Sequence, residues 1–195
     1  MIIGVHGRIG SGKDAFFERA ERMHNQLGLP RPQRVSFADK LKDSACALLG
    51  ITRDQMEEMK RDDTRGIKFV DSHLIYGEVE PDITMREFLQ RYGTEAHRDI
   101  FGDDFWVDAA LPKDLEHDGS LYICTDTRFE NEAARIRDLG GCIVRMVGVS
   151  EQVSDHASEK PLAKVDFTID NTVRNDDFAA LDAAVREVLM SVGLG

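Results

Sequence analysis

Short apolar runs along the chain alternate with longer segments in which apolar residues recur every three or four positions. An apolar run of about four to eight residues is typical of a buried strand, whereas the longer period is typical of an amphipathic helix. The runs predict strands at residues 1–6, 33–37, 120–125, 142–147 and 165–169. The periodic segments predict helices at residues 13–27, 39–49, 52–61, 85–99, 103–111, 129–139 and 176–192.

Alternation of strands and helices predicts an α/β fold, because parallel strands need helical crossovers that cover both faces of the sheet. Two regions interrupt the alternation. Residues 61–82 are polar and poorly periodic, and with the neighbouring helices they form a predicted insertion between the second and third strands. Residues 148–164 are also polar. They form either a mobile lid over a bound ligand or an ordinary exposed connection, and polarity alone does not separate the two.

The composition is that of an ordinary globular chain with an excess of acidic residues. Its 195 residues suffice for one compact domain with insertions, and its formal net charge is -11 at pH 7. Such a charge argues against a nucleic-acid scaffold. No apolar stretch approaches the roughly 20 residues of a membrane span, and the start of the chain lacks the layout of a signal peptide. We therefore expect a cytoplasmic protein without membrane or nucleic-acid partners.

The three cysteines are distant from one another in the sequence. Cys46 lies in a helical pattern, whereas Cys124 and Cys142 lie in apolar strand-like runs. Because their spacing is not that of a metal site, we expect buried, reduced thiols.

A glycine-rich segment directly follows the first predicted strand. Residues 7–14 read Gly-Arg-Ile-Gly-Ser-Gly-Lys-Asp, which fits the phosphate-binding motif G-x-x-x-x-G-K. Gly10 and Gly12 allow backbone N–H groups to turn toward phosphate oxygens, and the positive end of the following helix adds to the attraction. We expect this loop and the Lys13 ammonium to bind a nucleoside triphosphate. The alternative, a chance glycine-rich turn, is disfavoured by the strand before it and the helical pattern after it.

Two carboxylates are candidates for a magnesium site. Asp126 ends an apolar strand, where phosphate-loop proteins place an acid that holds Mg²⁺. Asp14 occupies the position at which most such loops have the Ser or Thr that binds the metal. Its charge would repel a naked triphosphate, so we expect Asp14 to contact the metal ion or its waters. Alternatively, Asp126 only starts the next helix and Asp14 is an ordinary acid of a first helical turn.

Cationic side chains and one indole are candidates for the second substrate. Phosphoryl transfer requires positive charge around the migrating group. Arg128 stands just after a predicted strand, where ligands of open α/β sheets bind. Most Arg and Lys side chains are solvated surface groups, so a cation without a favourable position is a weaker candidate. These weaker candidates are Arg86, Arg91, Lys40 and Lys42. Trp106 either stacks on a base or fills a core beside Phe105, and core filling is the default for a lone Trp.

These motifs together resemble one family, the phage-type deoxynucleoside monophosphate kinases of the P-loop kinase superfamily. The resembling segments follow the family order and span most of the chain. They are residues 7–14, 37–43 (FADKLKD), 86–95 (REFLQRYGTE), 105–107 (FWV), 126–132 (DTRFENE) and 156–159 (HASE). The Q-x-x-G-T-E and D-T-R segments are fairly specific, whereas the last segment is a loose match.

The resemblance implies transfer of the γ-phosphate of ATP to a deoxynucleoside 5′-monophosphate, with Mg²⁺, by a single P-loop kinase domain over residues 1–195. It implies a three-layer α/β/α fold with a five-stranded parallel sheet of order 2-3-1-4-5. It also implies an insertion at about 50–115 that binds the monophosphate and a lid at about 148–164. The family pattern allows a homodimer.

The resemblance carries the following assignments onto this chain. The residues assigned to ATP are Gly7, Arg8, Ile9, Gly10, Ser11, Gly12, Lys13, Asp14 and Asn171. Those assigned to catalysis are Lys13, Arg128 and Asp126, and those assigned to the metal are Asp14 and Asp126. Those assigned to the monophosphate are Asp39, Lys42, Arg86, Gln90, Thr94, Trp106, Arg128 and Glu132. Those assigned to the lid are Arg145, His156 and Lys160.

One departure from the family pattern concerns the lid. Nucleotide kinases usually carry arginines there, yet residues 148–164 contain none. The substitutes that the sequence offers are Arg145, Lys160 and Lys164. The cation that stabilises the transition state therefore stays open.

Two other functions stay open as well. Animal-type phosphomevalonate kinases share the G-K-D loop and the D-x-R segment, but an acceptor without a base needs a denser cationic site and no stacking aromatics. Trp106, Tyr92 and Tyr76 therefore favour a nucleotide. A nucleotide-binding switch or DNA-handling ATPase would hydrolyse ATP without depending on an acceptor, and the acidic charge disfavours DNA.

Overall fold

The computed structural model describes residues 1–8, 10–62, 65–70, 73–77, 82–111, 119–148, 161–173 and 178–193. Its strands are β1 (Ile2–His6), β2 (Gln33–Val35), β3 (Gly66–Val70), β4 (His73–Gly77), β5 (Ile83–Thr84), β6 (Tyr122–Cys124), β7 (Cys142–Val147) and β8 (Phe167–Asp170). Its α-helices are α1 (Lys13–Gln26), α2 (Phe37–Leu49), α3 (Arg53–Met59), α4 (Met85–Gly93), α5 (Asp99–Phe101), α6 (Phe105–Ala110), α7 (Glu130–Asp138) and α8 (Ala179–Ser191). A π-helical turn, Thr94–Arg98, links α4 to α5. Every helix in these ranges is too short or too polar to span a lipid bilayer.

Five strands form one parallel sheet of order β2-β6-β1-β7-β8. If only the five strands of this sheet are numbered along the chain, their order across the sheet is 2-3-1-4-5. The predicted α/β fold and strand order are therefore confirmed. β1 is the central strand, because Ile3 pairs with Ile123 on one side and with Cys142 on the other. The carboxyl ends of all five strands lie at one edge of the sheet, where ligands of open α/β sheets bind.

Helices cover both faces of the central strand. Ile3 and Val5 are fully buried in a core that contains Phe16 of α1 and residues of α8. Gly4 faces the other way and packs so closely on α7 that a Cβ atom there would lie 2.6 Å from Ile136. Burial on both faces explains why β1 is a continuous apolar run in the sequence.

The chain divides into two compact units. The first consists of Met1–Phe37 and Ala110–Gly195 and contains the parallel sheet. The second, Ala38–Ala109, contains almost all of α2 to α6 and an antiparallel sheet of order β4-β3-β5. The core of the second unit includes the fully buried side chains of Met56 and Ile67.

Helix starts in the second unit follow local signals. The Thr52 hydroxyl accepts the Gln55 backbone N–H at 3.2 Å, and the Gln55 side chain accepts the Thr52 N–H at 2.8 Å. This reciprocal pair is a capping box that starts α3. The Thr84 hydroxyl accepts the Glu87 N–H at 3.2 Å at the start of α4. Both caps satisfy N–H groups that a helix leaves without internal partners.

Two features of the second unit were not predicted. Residues 61–82, for which the sequence pattern predicts no element, contain β3 and β4. The predicted helix at 85–99 is not one α-helix, because the π-helical turn Thr94–Arg98 interrupts it after α4. Such turns occur often at functional sites, and the helical period of apolar residues does not signal them.

The three cysteines are free thiols, as expected. Cys46 and Cys124 are buried, and Cys142 is half-buried. Burial raises the pKa of each thiol, that of Cys142 to about 11. A thiol with a raised pKa carries little of the nucleophilic thiolate near neutral pH.

Candidate active site

The predicted phosphate-binding loop connects β1 to α1, and the side chain of its lysine donates hydrogen bonds back to the loop backbone. Lys13 Nζ donates hydrogen bonds to the carbonyl oxygens of Gly7, at 2.7 Å, and Arg8, at 2.8 Å. The Ser11 N–H donates to the Arg8 carbonyl oxygen at 3.2 Å. Because α1 begins at Lys13, the ammonium group and the positive end of the helix occupy the same turn.

Asn171, directly after β8, braces this loop. Its Nδ2 donates to the Ser11 carbonyl oxygen at 3.1 Å, and the residue is buried. Gly12 permits the approach: its φ of 97° is in the left-handed region, and a Cβ atom there would overlap the Asn171 side-chain amide. A Cβ atom on Gly148, directly after β7, would overlap Ser11 in the same way. The loop after β1 is therefore packed against the carboxyl ends of β7 and β8.

The Ser11 hydroxyl is buried within the loop. Ser11 is 1% exposed, and among the described residues its Oγ has no hydrogen-bond partner. An unpaired buried polar group costs about 1–3 kcal/mol. A phosphate oxygen bound in the loop would accept this hydrogen bond.

Asp14, the unusual last residue of the motif, pairs with an arginine from β2. Its Oδ1 accepts a hydrogen bond from an Arg34 terminal nitrogen. Arg34 Nε in turn donates to the Thr125 hydroxyl at 3.1 Å, and the guanidinium lies over the Phe17 ring. The Asp14 carboxylate is thus fixed in direction while its side chain stays 73% exposed.

Asp126, which follows β6, bonds to the start of α2. Its Oδ2 accepts the Ser36 hydroxyl at 2.7 Å, and its Oδ1 accepts the Phe37 N–H at 3.0 Å. These bonds give Asp126 a role at the start of α2. They also orient the carboxylate in the way that outer-shell groups orient metal-binding acids.

The predicted magnesium site does not need a cluster of three or more protein ligands. Within the described ranges, no three His, Cys, Asp or Glu side chains group together as metal ligands. Mg²⁺ bound to a nucleotide needs only one or two protein carboxylates, because phosphate oxygens and waters complete its coordination shell. Asp14 and Asp126 fit that donor set, and their contact with a metal stays a prediction.

Glu132 lies in the first unit, and its side chain stabilises the start of α7. Its Oε2 accepts the N–H groups of Arg128, at 2.6 Å, and Phe129, at 3.0 Å, and the residue is 3% exposed. The Arg128 backbone is therefore fixed, and its side chain is half-buried. Contacts of Arg128 and Glu132 with a substrate stay predictions.

His6 ends β1 immediately before the loop. Its ring is buried, and Nδ1 donates to the Thr127 carbonyl oxygen at 3.1 Å. Burial lowers the pKa of His6, and the charges of Arg145 and Lys13 lower it further, against the opposing effects of the Thr127 hydrogen bond and Glu130. Arg145, predicted as a lid residue, lies on β7 in register with His6.

In the second unit, two of the residues assigned to the monophosphate have ionic partners. Asp39 Oδ1 accepts a hydrogen bond from Arg53 at 2.6 Å, and Lys42 Nζ contacts Glu57 Oε1 at 2.9 Å. The exposed residues of this set are Arg86, Gln90 and Thr94, and Thr94 opens the π-helical turn.

Trp106 is buried within the second unit. It is 5% exposed, and its indole N–H donates to the Gly93 carbonyl oxygen at 3.0 Å. Its ring packs against His97 and Phe105 at centroid distances of 4.8 Å each. These contacts agree with the core-filling interpretation, and stacking on a base stays a prediction.

Some predicted residues lie outside the described part of the chain. They are Ile9, His156 and Lys160, together with most of the predicted lid at residues 148–164. Conversely, four residues that contact predicted site residues were not singled out from the sequence. These are Arg34, Ser36, Arg53 and Glu57. Lys60, which contacts Glu57, was not singled out either. The spacing of Glu57 and Lys60, three positions apart, was a local signal, and such pairs are common on solvated helix faces.

Comparisons with known proteins give a consistent result. A family model described as deoxynucleotide monophosphate kinase matches residues 34–183. A deoxynucleoside-5′-monophosphate kinase of Escherichia phage T5 is 22% identical over 209 residues, covering 82% of this chain and 84% of the relative. A protein of Acanthamoeba polyphaga mimivirus, provisionally named a deoxynucleotide monophosphate kinase, is 27% identical over 173 residues, covering 85% of this chain and 83% of the relative. The family match begins after the phosphate-binding loop, so the loop is a separate observation.

Proposed function

The chain belongs to the deoxynucleotide monophosphate kinase family, and we propose that it transfers the γ-phosphate of ATP to a deoxynucleoside 5′-monophosphate. An oxygen of the acceptor phosphate attacks the γ-phosphorus in line, and the bond from that phosphorus to the β–γ bridging oxygen breaks. The products are ADP and a deoxynucleoside 5′-diphosphate. The chain is a transferase of the kinase class that acts on small molecules.

The observation that carries the ATP assignment is the Ser11 hydroxyl, buried without a partner among the described residues in a loop closed by Lys13. Phosphate oxygens would replace the loop carbonyls as acceptors for the ammonium, and one would accept from Ser11. The start of α1 adds a partial positive charge at the same turn. The Asn171 brace supports this use, because it fixes the loop backbone before any ligand binds.

We assign the magnesium ion to Asp14 and Asp126. Arg34 directs the first carboxylate, and Ser36 and Phe37 direct the second. A bound Mg²⁺ supplies charge neutralisation at the phosphate oxygens. These hydrogen bonds hold both carboxylates in fixed directions, so less side-chain entropy is lost when the ion binds.

For the reacting phosphate we assign Lys13 and Arg128 as the cations that stabilise charge on the migrating group. The candidates within the described residues for the cation that other nucleotide kinases carry in a lid are Arg145, on β7 beside the loop strand, and the exposed Lys164. We propose residues 148–164 as that lid and residues 50–115 as the insertion that binds the monophosphate.

In the second unit, the acceptor assignment follows side-chain chemistry. Lys42 and Arg86 suit the 5′-phosphate, whereas the exposed side chains of Gln90 and Thr94 suit the polar groups of a nucleoside. The indole N–H of Trp106 already donates a hydrogen bond within the chain, so a contact with a base would use the face of the ring.

The proposed reaction is tested by an acceptor screen. The protein is incubated with ATP, Mg²⁺ and, separately, each deoxynucleoside and ribonucleoside monophosphate, a modified pyrimidine monophosphate and phosphomevalonate, and ADP release is measured. We expect at least one deoxynucleoside monophosphate to accelerate ADP release above the rate without an acceptor. Acceleration by phosphomevalonate instead, or ADP release that ignores every acceptor, would contradict the proposal.

Lys13→Ala is the variant that tests the loop. Loss of the ammonium should lower kcat/KM for ATP by about 100-fold or more, since it removes a cation aimed at developing negative charge. Arg22→Ala is its matched control, because Arg22 is an exposed cation of the same helix. Near-normal transfer by Lys13→Ala would reject the loop as the ATP site.

A further inference from the structure

Glu57 joins two lysines of the second unit. Its Oε1 contacts Lys42 Nζ at 2.9 Å, and its Oε2 contacts Lys60 Nζ at 2.8 Å. Lys42 lies on α2 and Lys60 directly follows α3, so the two ammonium groups come from separate segments of the chain. One carboxylate therefore holds both ammonium groups close together; we call Lys42 and Lys60 the lysine pair.

Positive charge exceeds negative charge within the group formed by the lysine pair and Glu57. Burial raises the pKa of Glu57, but the hydrogen bonds and charges of Lys60 and Lys42 outweigh burial and lower that pKa to about 2. Burial lowers the pKa of Lys60, and repulsion from Lys42 and Arg86 adds to this lowering against the attraction of Glu57. Two ammonium groups thus share one carboxylate, which leaves one positive charge without a counter-charge within this group of three side chains.

The lysine pair is partly withdrawn from water. The side chains of Lys42 and Lys60 are 22% and 20% exposed, and that of Glu57 is 35% exposed. Ion pairs on an open surface add little to stability, and holding like charges together away from water costs free energy. An anionic ligand accounts for this arrangement better than fold stability does.

We propose that Lys60, together with Lys42 and Arg86, binds the 5′-phosphate of the acceptor nucleotide. The proposal rests on the proposed function and adds to it Lys60 as a phosphate ligand. Each ammonium group has three N–H donors, and among the described residues Glu57 accepts one from each. The remaining donors suit the oxygens of a phosphate monoester, whose charge of about −1.5 to −2 near pH 7 is opposite in sign to the excess charge of the lysine pair.

The test is equilibrium binding without ATP, measured by isothermal titration calorimetry on the full chain. dAMP, dGMP, dCMP and dTMP are titrated separately, and the tightest ligand is compared with its deoxynucleoside. We expect the wild-type chain to bind the monophosphate at least about tenfold more tightly than the nucleoside, and Lys60→Gln to weaken monophosphate binding about tenfold, equal to about 1.4 kcal/mol. Lys60→Arg, which keeps the charge, should recover part of the loss.

Arg61→Gln is the matched control. Arg61 is exposed and directly follows Lys60, and the substitution removes the same charge. Thermal unfolding shows whether each variant is folded. If Lys60→Gln does not fold, the double variant Glu57→Gln/Lys60→Gln, which removes the carboxylate left behind, replaces it with the same expected loss.

Three results would overturn the phosphate role: wild-type affinity in the Lys60 variant, an equal loss in Arg61→Gln, or no monophosphate binding by the wild-type chain. Transfer assays on the same preparations separate this role from the kinase reaction. Wild-type turnover combined with unchanged binding by Lys60→Gln rejects the phosphate role alone. Binding that depends on Lys60, without any turnover, supports the phosphate role and rejects the kinase reaction.

Discussion

His6 shows how a single buried group next to the loop links stability to pH. Its ring donates one hydrogen bond, to the Thr127 carbonyl oxygen, and burial together with the charges of Arg145 and Lys13 disfavours the protonated form. The pKa of His6 in the folded chain therefore lies below its ordinary value of 6.5. The unfolded chain binds more protons than the folded chain below that value, so acid favours unfolding.

We predict that the free energy of unfolding is constant with respect to His6 above about pH 6.5 and falls below it, by up to about 1.4 kcal/mol per pH unit. His6→Asn should flatten this part of the pH dependence, because the amide can still donate to Thr127 but does not titrate. Urea unfolding between pH 5 and pH 8 measures the slope.

His24→Asn is the control for that prediction. His24 is also buried and hydrogen-bonded to a backbone carbonyl, that of Pro30, at 2.8 Å. The slope due to His6 should survive in this variant. An unchanged slope in His6→Asn would show that other groups cause the pH dependence.

Among single residues, those in local motifs could be predicted and those in tertiary contacts could not. Lys13 and Ser11 belong to an eight-residue motif whose spacing carries its own chemistry. The bonds from Asp126 to Ser36 and Phe37 span 90 and 89 positions, so no local pattern signals them. The sequence therefore singled out Asp126 as a candidate without indicating what it contacts.

Gly12 allows a test of the loop at the scale of one structural element. A methyl group at Gly12 would be strained by its positive φ and would also overlap the Asn171 amide that braces the loop. We predict that Gly12→Ala raises the KM for ATP at least about tenfold, because displacing the brace should cost more than 1.4 kcal/mol. Initial rates at varied ATP concentration measure this effect.

Gly28→Ala separates backbone strain from the collision. Gly28 also has a positive φ, of 66°, but a Cβ atom there would meet nothing within 4 Å. This variant should lose about 1 kcal/mol of stability and keep the wild-type KM for ATP. Equal KM values for the two variants would contradict the bracing role of Asn171.

Elements with a strong apolar pattern could be predicted, whereas elements defined by pairing could not. β7 was predicted with its observed bounds, Cys142–Val147, because its residues are apolar except for Arg145, as is typical of a buried parallel strand. β3 and β4 are stabilised by antiparallel pairing, with Gly66 opposite Gly77, in a polar stretch that lacks a clear period. Their existence depends on contacts that sequence periodicity does not report.

At the scale of the whole molecule, strand order follows from a few constraints, but the acceptor does not. Right-handed crossovers and burial of β1 on both faces limit the possible topologies, so motif resemblance sufficed to predict the order. The choice among acceptors depends on a few contacts, each worth about 1–3 kcal/mol. The lysine pair illustrates this limit, because Lys42 and Lys60 contact the same Glu57 carboxylate from separate segments of the chain.

The most direct test of phosphoryl transfer follows the γ-phosphate itself. ATP labelled at the γ-phosphorus is incubated with Mg²⁺, the protein and the best deoxynucleoside monophosphate, and the products are separated by thin-layer chromatography. The kinase assignment predicts that the label moves into the deoxynucleoside diphosphate, in an amount equal to the ADP formed, and that Lys13→Ala abolishes this transfer. Label that appears only as inorganic phosphate, at a rate that does not depend on the monophosphate, would contradict it.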